Sequence, residues 1–244
     1  MRFPLLVIAL LILSLSSGFA FEPDVLLVDD AGSKQLEPFY GPLCLTAQRT
    51  YAAWNVSQAG TVPATALDAY ATVVWLAGES ANPKGIEGGA ATLLAYVDKG
   101  GRLLLIGDHL GNVLPEVMAK VFGLRIKRFS PIVTELNGRL ADVIADGRKL
   151  KLSTPGTETA DYVKSTHGET TPHPEIVFWT PDEGASRPTA ARIEKLGARN
   201  NRAAWFGCDL TRAADAARAG DIFTRSIRWI TPEPPAKVKF RKMY

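Results

Sequence analysis

Apolar and polar positions along this chain alternate between two patterns. Short continuous apolar runs bounded by acids or glycines predict strands buried on both faces, and longer stretches with apolar residues three and four apart predict helices. Asp24–Asp30 (DVLLVDD), Thr72–Ala77 (TVVWLA), Leu103–Ile106 and Ala203–Asp209 (AAWFGCD) belong to the first kind. Val56–Val62 reads as a weaker second strand. Leu43–Trp54, following the loop AGSKQLEPFYGP, is expected to be a helix with Leu45, Tyr51 and Trp54 on its apolar face, and Thr65–Ala69 a short helical turn. Ile86–Asp98 is expected to be helical, with Leu93, Leu94 and Val97 sharing one face and Gly100 and Gly101 ending it. Val113–Phe122 and Ala213–Trp229 complete the helices, the last facing Ile222, Ile227 and Trp229 inward.

Strand and helix therefore alternate through the first hundred residues after the N-terminal segment. That order predicts an α/β fold with a doubly wound, mainly parallel sheet joined by right-handed crossovers. Residues 124–180 break the pattern with short β-like pieces (LRIKRF, IVTEL, EIVFW) between Gly-, Thr- and Pro-rich turns, and read as a β-rich elaboration that includes antiparallel strands.

The N-terminus carries Arg2, an apolar run Leu5–Leu13, then Ser14, Ser16, Ser17, Gly18 and Ala20. This layout predicts a secretory signal peptide over 1–20, cleaved after Ala20, and export to the periplasm or beyond. An uncleaved anchor over Phe3–Phe21 is the alternative, and would be the chain's only tie to a membrane. What remains, about 224 residues, suits one domain over 21–232 followed by a basic tail, 233–244, with Lys237, Lys239, Arg241 and Lys242. The net charge is +3, or +2 once Arg2 is removed, without the concentrated basic face of a nucleic-acid binder. Cys44 and Cys208 are the only cysteines, and export leaves two readings open: a disulfide or two buried free thiols.

Candidate chemistry gathers at predicted strand ends: Asp29 and Asp30; Gly78, Glu79 and Ser80; Gly107, Asp108 and His109; and Asp209. If the first strand lies beside the third and the third beside the fourth, a spacing of about 4.8 Å per strand brings these groups within roughly 10 Å. Carboxylates and an imidazole so placed can hold a divalent metal or hydrogen-bond sugar hydroxyls. The plainer reading is that each Asp caps the helix after it. Ser33 and Ser80 are hydroxyls near the same edge, but neither lies in a G-x-S-x-G elbow. His167 has no Cys nearby and no helical His partner, so a familiar zinc site is not indicated, and no cofactor is called for. GIEGGA at 85–90 lacks the Lys-Ser/Thr ending of a phosphate-binding loop. The five tryptophans are expected in the core, and a sugar platform would need one of them exposed.

The VLLVDD opening, TVVWLAGES, YVDKGGRLLLIGD and the closing AAWFGCD strand and helix together resemble the class I glutamine amidotransferase-like superfamily, over residues 24–123 and 200–230. The closer likeness is to its non-amidotransferase branch, found in exported bacterial proteins. Members with the amidotransferase activity carry a nucleophilic cysteine on a G-x-C-x-G turn. Here that stretch is Gly107-Asp108-His109-Leu110-Gly111, with His109 at the nucleophile's place. Amide hydrolysis through a thiolate is thereby removed. Gly78 matches the family's oxyanion-hole position. His173-Pro174-Glu175 spells the tripeptide that carries the other two triad members, but here it precedes a strand instead of following one. The resemblance thus implies a non-catalytic module binding a saccharide or a partner protein at the envelope. The alternative is a cell-envelope hydrolase with His109 as general base beside Asp108.

Overall fold

A computed structural model describes residues 23–78, 85–86, 88–108, 110–127, 134–153, 159–162, 174–180, 187–196 and 201–233. The first five strands in space are β2 (Tyr51–Asn55), β1 (Val25–Asp29), β3 (Thr72–Gly78), β4 (Arg102–Gly107) and β11 (Asn201–Phe206), and every neighbouring pair among them is parallel. The sheet then continues antiparallel through β10 (Arg187–Leu196), β9 (Glu175–Thr180), β6 (Glu135–Gly138) and β7 (Lys149–Lys151). A separate antiparallel pair joins β5 (Leu124–Lys127) to β8 (Thr159–Tyr162). The protein is a mixed α/β structure with a mostly parallel central sheet. The expected adjacency of the first, third and fourth strands is present, and the β-rich elaboration is largely an antiparallel extension of the same sheet.

Alternating residues of the parallel strands feed two separate cores. On one face Val25, Leu27, Val74, Leu76, Leu104, Ile106, Ala204 and Phe206 pack with α1 (Glu37–Thr46) and α7 (Ala216–Ile230). On the other Leu26, Val28, Val73, Trp75, Leu103, Leu105 and Trp205 pack with α4 (Gly89–Asp98) and α6 (Pro115–Phe122). A strand buried on both sides needs no polar alternation, which is why these segments read as unbroken apolar runs. In α7 the buried positions Ala219, Ile222, Phe223, Ser226, Ile227 and Ile230 follow the helical repeat, and Asp215 caps the first turn by accepting the Arg218 N–H at 3.0 Å.

Three expectations need correction. The first helix runs over Glu37–Thr46, not Leu43–Trp54, and Tyr51 and Trp54 lie in β2. Pro38 is accommodated in the first helical turn, where no intrahelical N–H bond is needed, and the chain leaves the helix through Gln48 at φ 61°. Val56–Val62 is not a strand: Asn55 caps α2 (Val56–Ala59), α3 (Ala64–Asp68) follows, and Val62 makes only an isolated bridge to Ile86. That bridge also keeps Ile86 out of α4, which begins at Gly89. Short α5 (Leu110–Val113) precedes α6. No helix among the described residues is long and apolar enough to cross a membrane; the expected signal segment and the basic tail from 234 onward lie outside them.

Candidate functional site

The parallel strands all point their C-terminal ends at one edge, where ligands bind in open α/β sheets. The structure brings Asp29, Asp30, Gly78, Gly107, Asp108 and Asp209 to that edge. Glu79, Ser80, His109, His167 and His173 lie outside the described residues. Gly78 is directly paired with Gly107, and Gly107 has φ 145°, a conformation favouring glycine at the turn out of β4. Ser33 is exposed on the loop after β1.

The acids at this edge already have partners. Asp29 accepts from the N–H groups of Ala31 at 3.3 Å, Leu36 at 2.7 Å and Glu37 at 3.1 Å, so it ties the loop down and caps α1 from seven residues upstream. This is the capping role, carried out from the preceding strand. Asp30 accepts from Trp75 Nε1 at 3.1 Å, and its carboxylate lies so close to Gly85 that a Cβ there would collide with it. Asp108 forms a buried ion pair with Arg212, on the 3-10 turn Leu210–Arg212 after β11.

Asp209 is fully buried and accepts from Lys34 Nζ at 2.8 Å, Tyr40 Oη at 2.9 Å, Thr211 Oγ1 at 2.6 Å and Thr211 N at 3.0 Å. Burial pushes its pKa up, but the hydrogen bonds from Lys34 and Thr211 and the lysine's charge hold it below the ordinary carboxylate value. Tyr40 is raised well above 10 by burial and by Asp209. Arg212 and Lys34 were not singled out by sequence. The signal available was indirect: a carboxylate ending a buried strand needs a cation, and GSK and DLTR supply one each.

Among the described residues no group of three or more His, Cys, Asp or Glu side chains is arranged to hold a metal ion. Cys44 and Cys208 are both free thiols buried in the same core, so of the two open readings the structure has the unpaired one. Glu175 starts β9, three strands from β4, and bonds Arg192 Nη2 at 2.6 Å, so it has no part in a triad at the β4 turn. Trp75 and Trp205 are fully buried and Trp229 nearly so, while Trp54 is half-buried at the β2 edge.

Beside Asp29 the edge opens into a cleft of about 350 Å³ lined by Asp29, Gln35, Glu37, Ala53, Trp54, Asn55, Gln58 and Ala59. Sequence reasoning missed it, because Trp54 was placed on a helix.

No protein-family model matches the chain. No curated protein matches it either. Solved structures do match, at low identity. A glutamine amidotransferase from Methylobacillus flagellatus superposes with TM-score 0.56 at 10% identity, covering 89% of this chain and 98% of that one. A ThuA-like protein from Bacteroides uniformis gives TM-score 0.52 at 11% identity, with 86% and 92% covered. The exo-β-1,4-mannosidase Op5Man5 from Opitutaceae bacterium strain TAV5 gives 0.52 at 12% identity, with 93% of this chain matching 39% of the enzyme. These likenesses define the fold as class I glutamine amidotransferase-like.

Proposed function

We propose that this protein is an exported, non-catalytic module of the glutamine amidotransferase-like fold, with a doubly wound sheet, binding a saccharide or a partner protein at the cell envelope. The carrying observation is the buried Asp108–Arg212 ion pair. It engages the turn where related enzymes keep their nucleophile, and its carboxylate is already bound to a guanidinium. Export is supported by the apolar segment after Arg2. Saccharides as the ligand class are supported by the occurrence of this fold within a mannosidase, a likeness of fold that leaves function to be tested. A hydrolase at the same turn has less support, since its Asp108 would have to orient His109 while paired to Arg212.

The ion pair acts as a structural lock, so Arg212→Met is expected to cost about 3–5 kcal/mol by taking the guanidinium away from a buried carboxylate, and Asp108→Leu added to it to recover most of that. Urea unfolding of both variants measures this. Ester, amide and glycoside substrates should show no turnover with the native protein; turnover that vanishes in Asp108→Asn would overturn the non-catalytic reading.

A further inference from the structure

We infer that β2 is a self-association edge: two copies of this protein join their sheets by antiparallel pairing of Tyr51–Asn55 about a two-fold axis at Ala53. What carries this is an undefended edge strand whose outward backbone groups and side chains are complementary to those of a second copy.

The nine-stranded sheet ends in β2 on one side and β7 on the other. The β7 edge is protected: the strand is three residues long and carries Lys149 and Lys151, and its outer carbonyls are taken, that of Lys149 by Arg218 Nη1 at 2.9 Å and that of Lys151 by the Ala214 N–H at 2.9 Å. The β2 edge has none of these devices. Its sequence YAAWN carries no charge and no proline, it pairs with β1 without a bulge, and Ala53 is exposed at its middle. The Val25 N–H donates to the Thr50 carbonyl at 3.1 Å, so Thr50, Ala52 and Trp54 turn their backbone groups to β1, while Tyr51, Ala53 and Asn55 turn theirs to the free side. Among the described residues no turn or loop bond uses the N–H or C=O of Tyr51 or Ala53.

Centring the two-fold axis on Ala53 engages every outward residue of the strand. Ala53 exchanges both hydrogen bonds with the second copy's Ala53, and the Asn55 N–H donates to the second copy's Tyr51 carbonyl. Side chains match in the same register. Half-buried Trp54 stands opposite the second copy's Ala52, large against small, and the two Ala53 methyls meet at the axis. On the α1 face Asn55 stands opposite the second copy's Tyr51. Tyr51 Oη donates to Glu37 Oε1 at 2.7 Å, which places a carboxylate beside that position. Asn55 Oδ1 already accepts from Gln58 N at 3.2 Å and Ser57 Oγ at 2.6 Å, so its Nδ2 donors are left to meet the second copy's Glu37. A Cβ at Gly41 would strike Tyr51 Oη, so this face of α1 looks onto β2, and Leu45, one turn further along it, adds a 58% exposed apolar side chain beside the edge. An extended peptide from another protein could take the backbone bonds, but the pairing of Trp54 with Ala52 and of Asn55 with Glu37 is specific to a second copy.

The test is sedimentation equilibrium of the purified protein over a concentration series. One five-residue strand with its flanks is small against the roughly 800 Å² per partner of a standard interface, so a monomer–dimer equilibrium with a dissociation constant of roughly 10–100 μM is expected. Ala53→Lys sets two like charges against each other at the axis and should weaken the dimer at least about tenfold. Because Ala53 is exposed, its melting temperature should match that of the native protein, which separates lost pairing from lost folding. Ala53→Cys gives a positive reading: Cα atoms about 5.5 Å apart across a hydrogen-bonded pair are within disulfide reach, so oxidised glutathione should cross-link this variant into a dimer while leaving Gln58→Cys monomeric. The native thiols, Cys44 and Cys208, are buried and do not compete. A protein that stays monomeric to about 1 mM overturns the inference, including the case where the edge serves a strand of another protein. A dimer that is indifferent to Ala53→Lys, with no cross-link in Ala53→Cys, overturns it as well, because the contact then lies elsewhere.

Discussion

Asp209, a ligand-binding candidate in the sequence, carries a dense set of bonds that tie the fold together. Its carboxylate joins the loop after β1, through Lys34, to α1, through Tyr40, and to its own turn, through Thr211. Its folded pKa is depressed below the unfolded value of about 3.9. The stabilisation is therefore complete above about pH 4 and is lost as pH falls through the lower, folded value. Lys34→Ala removes part of that depression. Because Lys34 is half-exposed, its loss should cost only about 1 kcal/mol at pH 7. Urea melts at pH 7 and pH 2.5 check this: the gap between native and Lys34→Ala proteins should shrink at the lower pH. An equal gap at both would mean that Lys34 acts by packing and not through the Asp209 charge.

At the scale of elements, two glycines serve their turns for different reasons. Gly101 links α4 to β4, and a Cβ there would run into the Tyr96 ring, itself pinned by its hydroxyl. Gly123 ends α6 at φ 62° with open space around it. Gly123→Ala should cost about 1 kcal/mol from backbone conformation alone, and Gly101→Ala about 2–3 kcal/mol from overpacking. Thermal melts would reverse this ranking if Tyr96 can swing aside freely. The helix-ending role of the Gly100-Gly101 pair was legible in the sequence, as were the five runs that became β1, β3, β4, β11 and α7, since continuous apolarity and helical spacing are local signals. The start of α1 was not. Its cap comes from Asp29, seven residues before Leu36, whose own side chain makes no cap, and its first turn holds Pro38. Strand β10 carries Pro188 and charged Arg192 and Glu194, and its identity comes from pairing with β9 and β11. The site was legible as a set of strand-end acids but not in its chemistry, because Arg212 lies 104 positions from Asp108 and Lys34 175 from Asp209.

At the scale of the whole molecule, the two thiols report on whether the layers open together. Cys44 is on α1 and Cys208 follows β11, yet both are fully buried in the core between the sheet and the α1–α7 layer. Burial pushes the Cys44 thiol up to about 12 and Cys208 higher still, with Asp108 and Asp209 adding to the second. The reactive species is the thiolate, so at neutral pH both should resist an aromatic disulfide reagent in the native protein. Labelling requires the core to open. If α1, α7 and the parallel strands form one cooperative unit, both thiols should become reactive along one urea transition that coincides with the tryptophan signal. Cys44 reacting at lower urea than Cys208 would show that α1 detaches on its own. That outcome would make the Asp29 cap and the Lys34 and Tyr40 bonds to Asp209 a local latch, and would place the wall of the cleft beside Asp29 formed by Gln35 and Glu37 on the part of the molecule that opens first.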